Sequence, residues 1–231
     1  MHWNSTHSSF LLAGRFVYTP HPSQELTDLF AAKPYQGVAP ERANFLFVGL
    51  DANYHPEISA HPIYPAILAY HADGVGFWQQ HGVHHPFLLP GYTGDGRRYH
   101  QNFAHIGFTP EHAPLVSFIE VLHVPTVGRN VLVANDLSPA HLQRLNTLIL
   151  EGSAPYIFIP RGVAHLMRAT GFFPWLPKLP TVQDDALKVW FRTGSKTVYS
   201  YLHFSNYGKF TQQMAMEAAA IQELLTSHTD R

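Results

Sequence analysis

Apolar residues recur along this chain in two rhythms, and the alternation between them predicts the fold. The run from Asn44 to Leu50, NFLFVGL, is almost continuously apolar with aromatic and β-branched members, as in a strand buried on both faces of a parallel sheet. Three further segments read as strands: 115–124 (LVSFIEVLHV), 155–159 (PYIFI) and 197–203 (TVYSYLH), each leading into a turn that contains Pro, Gly or Asn. Between them the spacing becomes helical. Ser138 supplies an N-cap, Pro139 the first helical position, Leu142, Leu145 and Ile149 an apolar stripe, and Gly152 a stop. A second helix is predicted from Val163 to Thr170, closed by Gly171, a third over Thr211 to Ser227, and a short one around Glu25 to Ala31. Leu187 to Arg192, separated from the last strand by TGSK, is expected to pair with it as a hairpin. Strands and helices in this order imply an α/β fold with a parallel sheet and right-handed crossovers.

Composition narrows the picture. A chain of 231 residues with 45% hydrophobic and 13% charged residues suits one domain spanning 1–231. Residues 1–40 read as an N-terminal extension of it, the Pro/Gly/His-rich stretch 81–114 as an elaboration, and 211–227 as a C-terminal helix. The absence of cysteine excludes a disulfide framework, a thiolate nucleophile and a Cys-containing zinc site. No uncharged apolar run approaches the roughly 18 residues that span a bilayer, so a cytoplasmic protein without a membrane partner is expected. Fifteen Lys and Arg against sixteen Asp and Glu leave a net charge of -1, so any phosphate partner must be held by local basic groups.

In an open α/β sheet a ligand sits beyond the carboxyl ends of the strands, which directs attention to the loops starting at Leu50, Val124, Pro160 and His203. GLDANYHPE (Gly49 to Glu57) follows the first strand and gathers Asp51, Asn53, Tyr54 and His55; HFSNYG (His203 to Gly208) follows the last. A carboxylate and an imidazole brought together there can stabilise a cationic transition state and a departing anion. Asp-Ala-Asn is also ordinary turn chemistry, and Phe77-Trp78 also suits a helix anchored in a core. Glu120, inside an apolar strand, is costly unless it is paired or faces a polar site, which favours a functional role. The 17 histidines offer another reading: His81, His84, His85, His100, His105 and His112, with Asp95, as a metal site of a hydrolase, although HExxH spacing is missing. GYTGDG (Gly91 to Gly96) lacks the Lys-Ser/Thr ending of a phosphate-binding loop.

The two loops resemble the motifs of the uracil-DNA glycosylase superfamily, with similarity to its mismatch-specific and thymine-DNA branch. GLDANYH is similar to the family's GQDPYH, with one extra residue between Asp51 and Tyr54, and HFSNYGKF to its HPSPLS, keeping His203 and Ser205 but neither proline. GVGFWQQHG (Gly74 to Gly82) resembles the NRFW segment, VPTVGRN (Val124 to Asn130) the RPTV loop, and IFIPRGVAHLM (Ile157 to Met167) the strand, turn and helix of the LLGKxA kind. These pieces stand in family order across about 43–210. The resemblance implies a three-layer α/β/α sandwich around a four-stranded parallel sheet, and a monomeric, monofunctional DNA glycosylase without metal or cofactor. Such an enzyme hydrolyses the N-glycosidic bond of uracil or another deaminated or mismatched base flipped out of DNA.

In that reading Asp51 and His203 are catalytic, the first orienting water or stabilising the sugar cation and the second bonding the departing base. Gly49, Leu50, Tyr54, His55, Phe77 and Glu120 hold the base, with Glu120 or His123 standing where the family has its base-reading Asn. Arg129, Arg161, Ser205, Asn206 and Lys209 contact DNA, and Tyr207 or Phe210 fills the gap left in the duplex. An inactive nucleic-acid- or nucleotide-binding module of the same fold is the alternative that the altered second motif and neutral charge leave open.

Overall fold

The computed structural model describes residues 18–128, 131–184 and 186–229. Its central strands are β3 (Phe45–Asn53), β4 (Val116–Val127), β5 (Tyr156–Phe158) and β8 (Lys196–Ser200); β3 pairs in parallel with β4 and β5, and β5 with β8. These are the four strands the apolar runs predict. The sheet as a whole is mixed, which corrects the expectation of a four-stranded parallel sheet. Two short strands, β1 (Thr19–Pro20) and β2 (Tyr35–Gly37), lie antiparallel along the outer edge of β4. On the other side β6 (Val182–Asp184), β7 (Leu187–Thr193) and β8 form an antiparallel meander, which includes the expected hairpin. Both additions give hydrogen-bond partners to edges that a four-stranded sheet would leave open.

Seven helices accompany the strands among the described residues: α1 (Gln24–Ala32), α2 (Tyr64–Ala72), α3 (Gly74–His81), α4 (Arg97–Ala104), α5 (Pro139–Glu151), α6 (Arg161–Ala169) and α7 (Thr211–Thr229). Helix α5 starts as its sequence dictates, with Ser138 Oγ accepting from the His141 N–H at 3.4 Å and Pro139 in the first turn. Alternate residues of β3 face opposite layers. Leu46 and Val48 pack against α5 and α6 through Leu142, Leu145, Ile149, Val163 and Met167. Phe45 and Phe47 face α4 and α7 in an aromatic core, where Phe47 stacks on Phe158 (centroids 4.7 Å apart) and meets Phe103 edge-on at 5.3 Å. No helix among the described residues is long and apolar enough to cross a membrane.

One irregularity positions the site. Along most of their length β3 and β4 advance together, but Asp51 opposes Leu122 while Asn53 opposes Thr126. The shift pulls Thr126 of β4 up to Asp51, a contact that regular pairing would not make.

Candidate active site

A cavity of about 690 Å³ opens beyond the carboxyl ends of the parallel strands, and Asp51, Glu120 and His203 all line it. The Asp51 carboxylate is held by a directed chain. Asn53 Nδ2 donates to the Gly128 carbonyl at 2.6 Å and to Thr126 Oγ1 at 3.0 Å. A carbonyl can only accept, so the orientation of the amide is fixed; Thr126 Oγ1 then accepts, and its own hydrogen goes to Asp51 Oδ2. Thr126 is fully buried. The chain therefore presents a hydroxyl donor to the carboxylate and fixes its position.

Glu120 lies opposite Gly49 in the β3–β4 register, and its carboxyl group occupies the space where a side chain at 49 would stand. A Cβ on Gly49 would fall 1.9 Å from Glu120 Oε2, so only glycine leaves this seat open. Burial raises the Glu120 pKa from 4.5 to about 8, and the negative charge of Asp51 adds to the shift. At neutral pH the group is mostly a neutral acid. His123, the other candidate on this strand, lies instead with its ring 5.1 Å from that of His141, whose Nε2 pairs with the Glu120 carbonyl at 2.7 Å, and it does not line the cavity.

His203 is poised as a donor. Its Nδ1 accepts from the Ser205 backbone N–H at 3.3 Å and lies 2.7 Å from Ser205 Oγ, which places the ring proton on Nε2. Burial lowers its pKa and Asp51 partly counters this, so the imidazole is neutral near pH 7. The Tyr99 ring packs 5.2 Å from it.

No family model, curated protein or solved structure matches the chain. The reading of the site therefore rests on its own geometry.

Of the residues singled out in the sequence, Leu50, Asp51, Tyr54, Glu120, His203, Ser205 and Asn206 converge on the cavity, with Gly49 beneath Glu120. Tyr54 is buried, and its hydroxyl accepts from Gln36 Nε2 at 3.1 Å. Two expected base contacts lie elsewhere. Phe77 is buried on α3 against Tyr70 and His81, because the adjacent aromatics anchor that helix in the core. His55 is exposed, its Nδ1 accepting from the Glu57 N–H in a tight turn. Arg161 begins α6 on the surface beside the cavity-lining Pro160 and Gly162. Tyr207 is 68% exposed with the Arg98 guanidinium 4.7 Å over its ring, and Lys209 lies over Phe210 at 5.2 Å. Arg129 falls outside the described residues.

The aromatic wall comes from a segment the sequence left as an elaboration. Phe87, Tyr99 and His100 line the cavity, His100 stacking on His85 at 3.5 Å. His84 Nε2 and His100 Nδ1 share a hydrogen bond at 3.1 Å, and burial pushes His84 down to about 3. Arg97 clips the wall by donating to the carbonyls of Phe87 (3.0 Å), Leu89 (3.3 Å) and Tyr92. These histidines pack as neutral rings, while His112 bonds Thr109; among the described residues no three His, Asp or Glu side chains are grouped to hold a metal ion.

Proposed function

We propose that the protein is a DNA glycosylase of the uracil-DNA glycosylase kind, hydrolysing the N-glycosidic bond of a base turned into this cavity. The observation that carries the reading is that Asp51 and His203, at opposite ends of the sequence core, line one cavity walled by aromatic rings, with a neutral Glu120 in it. The four adjacent parallel strands and the helices on both sheet faces also suit the family's sandwich.

Base loss of this type is dissociative: as the C1′–N bond breaks, positive charge gathers on the sugar and negative charge on the base. Asp51 offsets the first, and the Nε2–H of His203 meets the second at a base carbonyl. Water adds to C1′ as the bond breaks, giving a proton to solvent, and the base leaves as an anion that takes one up. Glu120 in its acid form bonds the base edge without repelling that anion, whereas an ionised Glu120 would oppose it. Ser205, Asn206 and Arg161 stand at the rim where the strand backbone would run.

The test is incubation of the full chain with single-stranded and duplex uracil oligonucleotides in the presence of a chelator, followed by alkali. Strand scission at the uracil is expected. Salt-sensitive binding without scission would instead identify a binding module, and scission abolished by the chelator a metal enzyme. In the same assay His203→Ala is expected to slow base release about 10²–10³-fold, the usual cost of one donor to a developing anion. Thr126→Val, which deletes the hydroxyl bonded to Asp51 while keeping its shape, should lower kcat about tenfold with little change in KM. Thr126→Ser should restore it; equal loss in both variants would argue against the hydrogen-bond chain.

A further inference from the structure

Three of the polar neighbours of Glu120 in the cavity have bonds of their own. Asp51 is tied to Thr126, Tyr54 to Gln36 and His203 to Ser205. Neither side-chain oxygen of Glu120 has a hydrogen-bond partner among the described residues, although the group lines the cavity and is pressed against the Gly49 backbone. A carboxyl group that opens onto a cavity without a protein partner is free to bond a ligand that enters it.

A carboxylic acid presents one donor and one acceptor side by side, and the proton can sit on either oxygen without any heavy atom moving. Nucleobase edges come in two matching forms. Uracil and hypoxanthine offer a ring N–H beside an exocyclic carbonyl; cytosine and adenine offer a ring nitrogen acceptor beside an exocyclic amine. A side-chain amide held in one orientation by the protein pairs with one form and rejects the other. Among the described residues no protein group fixes the Glu120 proton on one oxygen.

Building on the reading of this cavity as a base pocket, we propose that Glu120, seated over Gly49, pairs edge-on with both classes, so that the pocket takes amino-edged bases of the cytosine and adenine type as well as keto-edged ones. Selection by class then falls to the chemistry of the leaving base, not to its binding. The surroundings keep the acid form available near neutrality. Asp51 from β3 and the hydroxyls of Tyr54, Tyr70, Tyr99 and Tyr201 lie near Glu120, and the neutral rings of His85, His100 and His203 line the same cavity; none of them supplies a cation.

Titration calorimetry of the full chain with free uracil, cytosine, hypoxanthine and adenine near pH 6.5 tests this. Cytosine should bind within about fivefold of uracil, and adenine within about fivefold of hypoxanthine, since each pair offers the same number of hydrogen bonds. Glu120→Ala should weaken all four about tenfold, the value of roughly one such bond. Binding of keto bases with amino bases weaker by about 30-fold or more would overturn the proposal and leave the base pocket standing, because a mismatched edge leaves buried groups unpaired. Unchanged binding in Glu120→Ala would overturn it as well. If the native protein binds none of the four, the base-pocket reading itself fails, and this proposal with it.

Discussion

Asp51→Asn is expected to slow base release about 10²–10⁴-fold, the range that a positioned catalytic group contributes. The substitution isolates charge from geometry. Thr126 donates its hydroxyl hydrogen to Asp51 Oδ2, and an amide oxygen at the same place can accept it, so this hydrogen bond can be kept. What disappears is the negative charge that offsets the sugar cation. Affinity for the oligonucleotide should stay within a few-fold of the native value, because the cation does not exist in the ground state. Single-turnover kinetics on a uracil oligonucleotide, with binding measured separately, checks both halves. In the double variant with Thr126→Val the losses should fall short of additivity, since the hydroxyl acts only through the carboxylate. A rate within threefold of native would remove Asp51 from the mechanism.

Much of this architecture is legible in the sequence where local chemistry and packing agree. Helix α5 is an instance: the serine cap, the proline after it and the Leu142, Leu145, Ile149 stripe all specify one helix, and its observed bounds are Pro139–Glu151. The strand after Asn44 is equally plain, but its reach is not. The apolar run stops at Leu50, whereas the strand continues through Asp51 to Asn53, held by pairing with β4 that hydropathy does not register. The region between residues 60 and 105 is harder to read for different reasons. Helix α2 is apolar on most sides and so shows no stripe, while α4, RRYHQNFA, is mostly polar and buries Phe103. The cavity wall of Phe87, Tyr99 and His100 was hidden with them. Glu120 stood out in the sequence because a carboxylate inside an apolar strand needs a reason. Thr126 did not, since its role depends on a shift in strand register that brings it to Asp51 from another part of the chain.

The retention of Glu120 has a stability cost whose pH dependence gives the second large effect. In the unfolded chain its carboxyl group titrates near 4.5; in the folded protein burial, and then Asp51, hold the proton until about pH 8. Between those values the native state carries a proton that the unfolded state has released. Stability therefore falls as pH rises through this window, by about 1.4 kcal/mol per unit, and levels off above it. Over the whole window the loss is on the order of 3–5 kcal/mol, a large fraction of what holds a domain together. Glu120→Gln has the same shape and no proton to lose, so it should match the native protein near pH 4.5 and exceed it increasingly up to pH 8. Urea midpoints for both proteins at several pH values between about 5 and 9 measure the gap. The buried histidines shift in the opposite sense, losing stability as pH falls, but they are present in both proteins and cancel in the difference. A gap that stays flat across the window would mean that Glu120 is not held as the acid. A gap that opens as described would mean that the fold bears a penalty at this one position, in the cavity shared with Asp51 and His203, for a carboxyl group that a neutral amide would relieve.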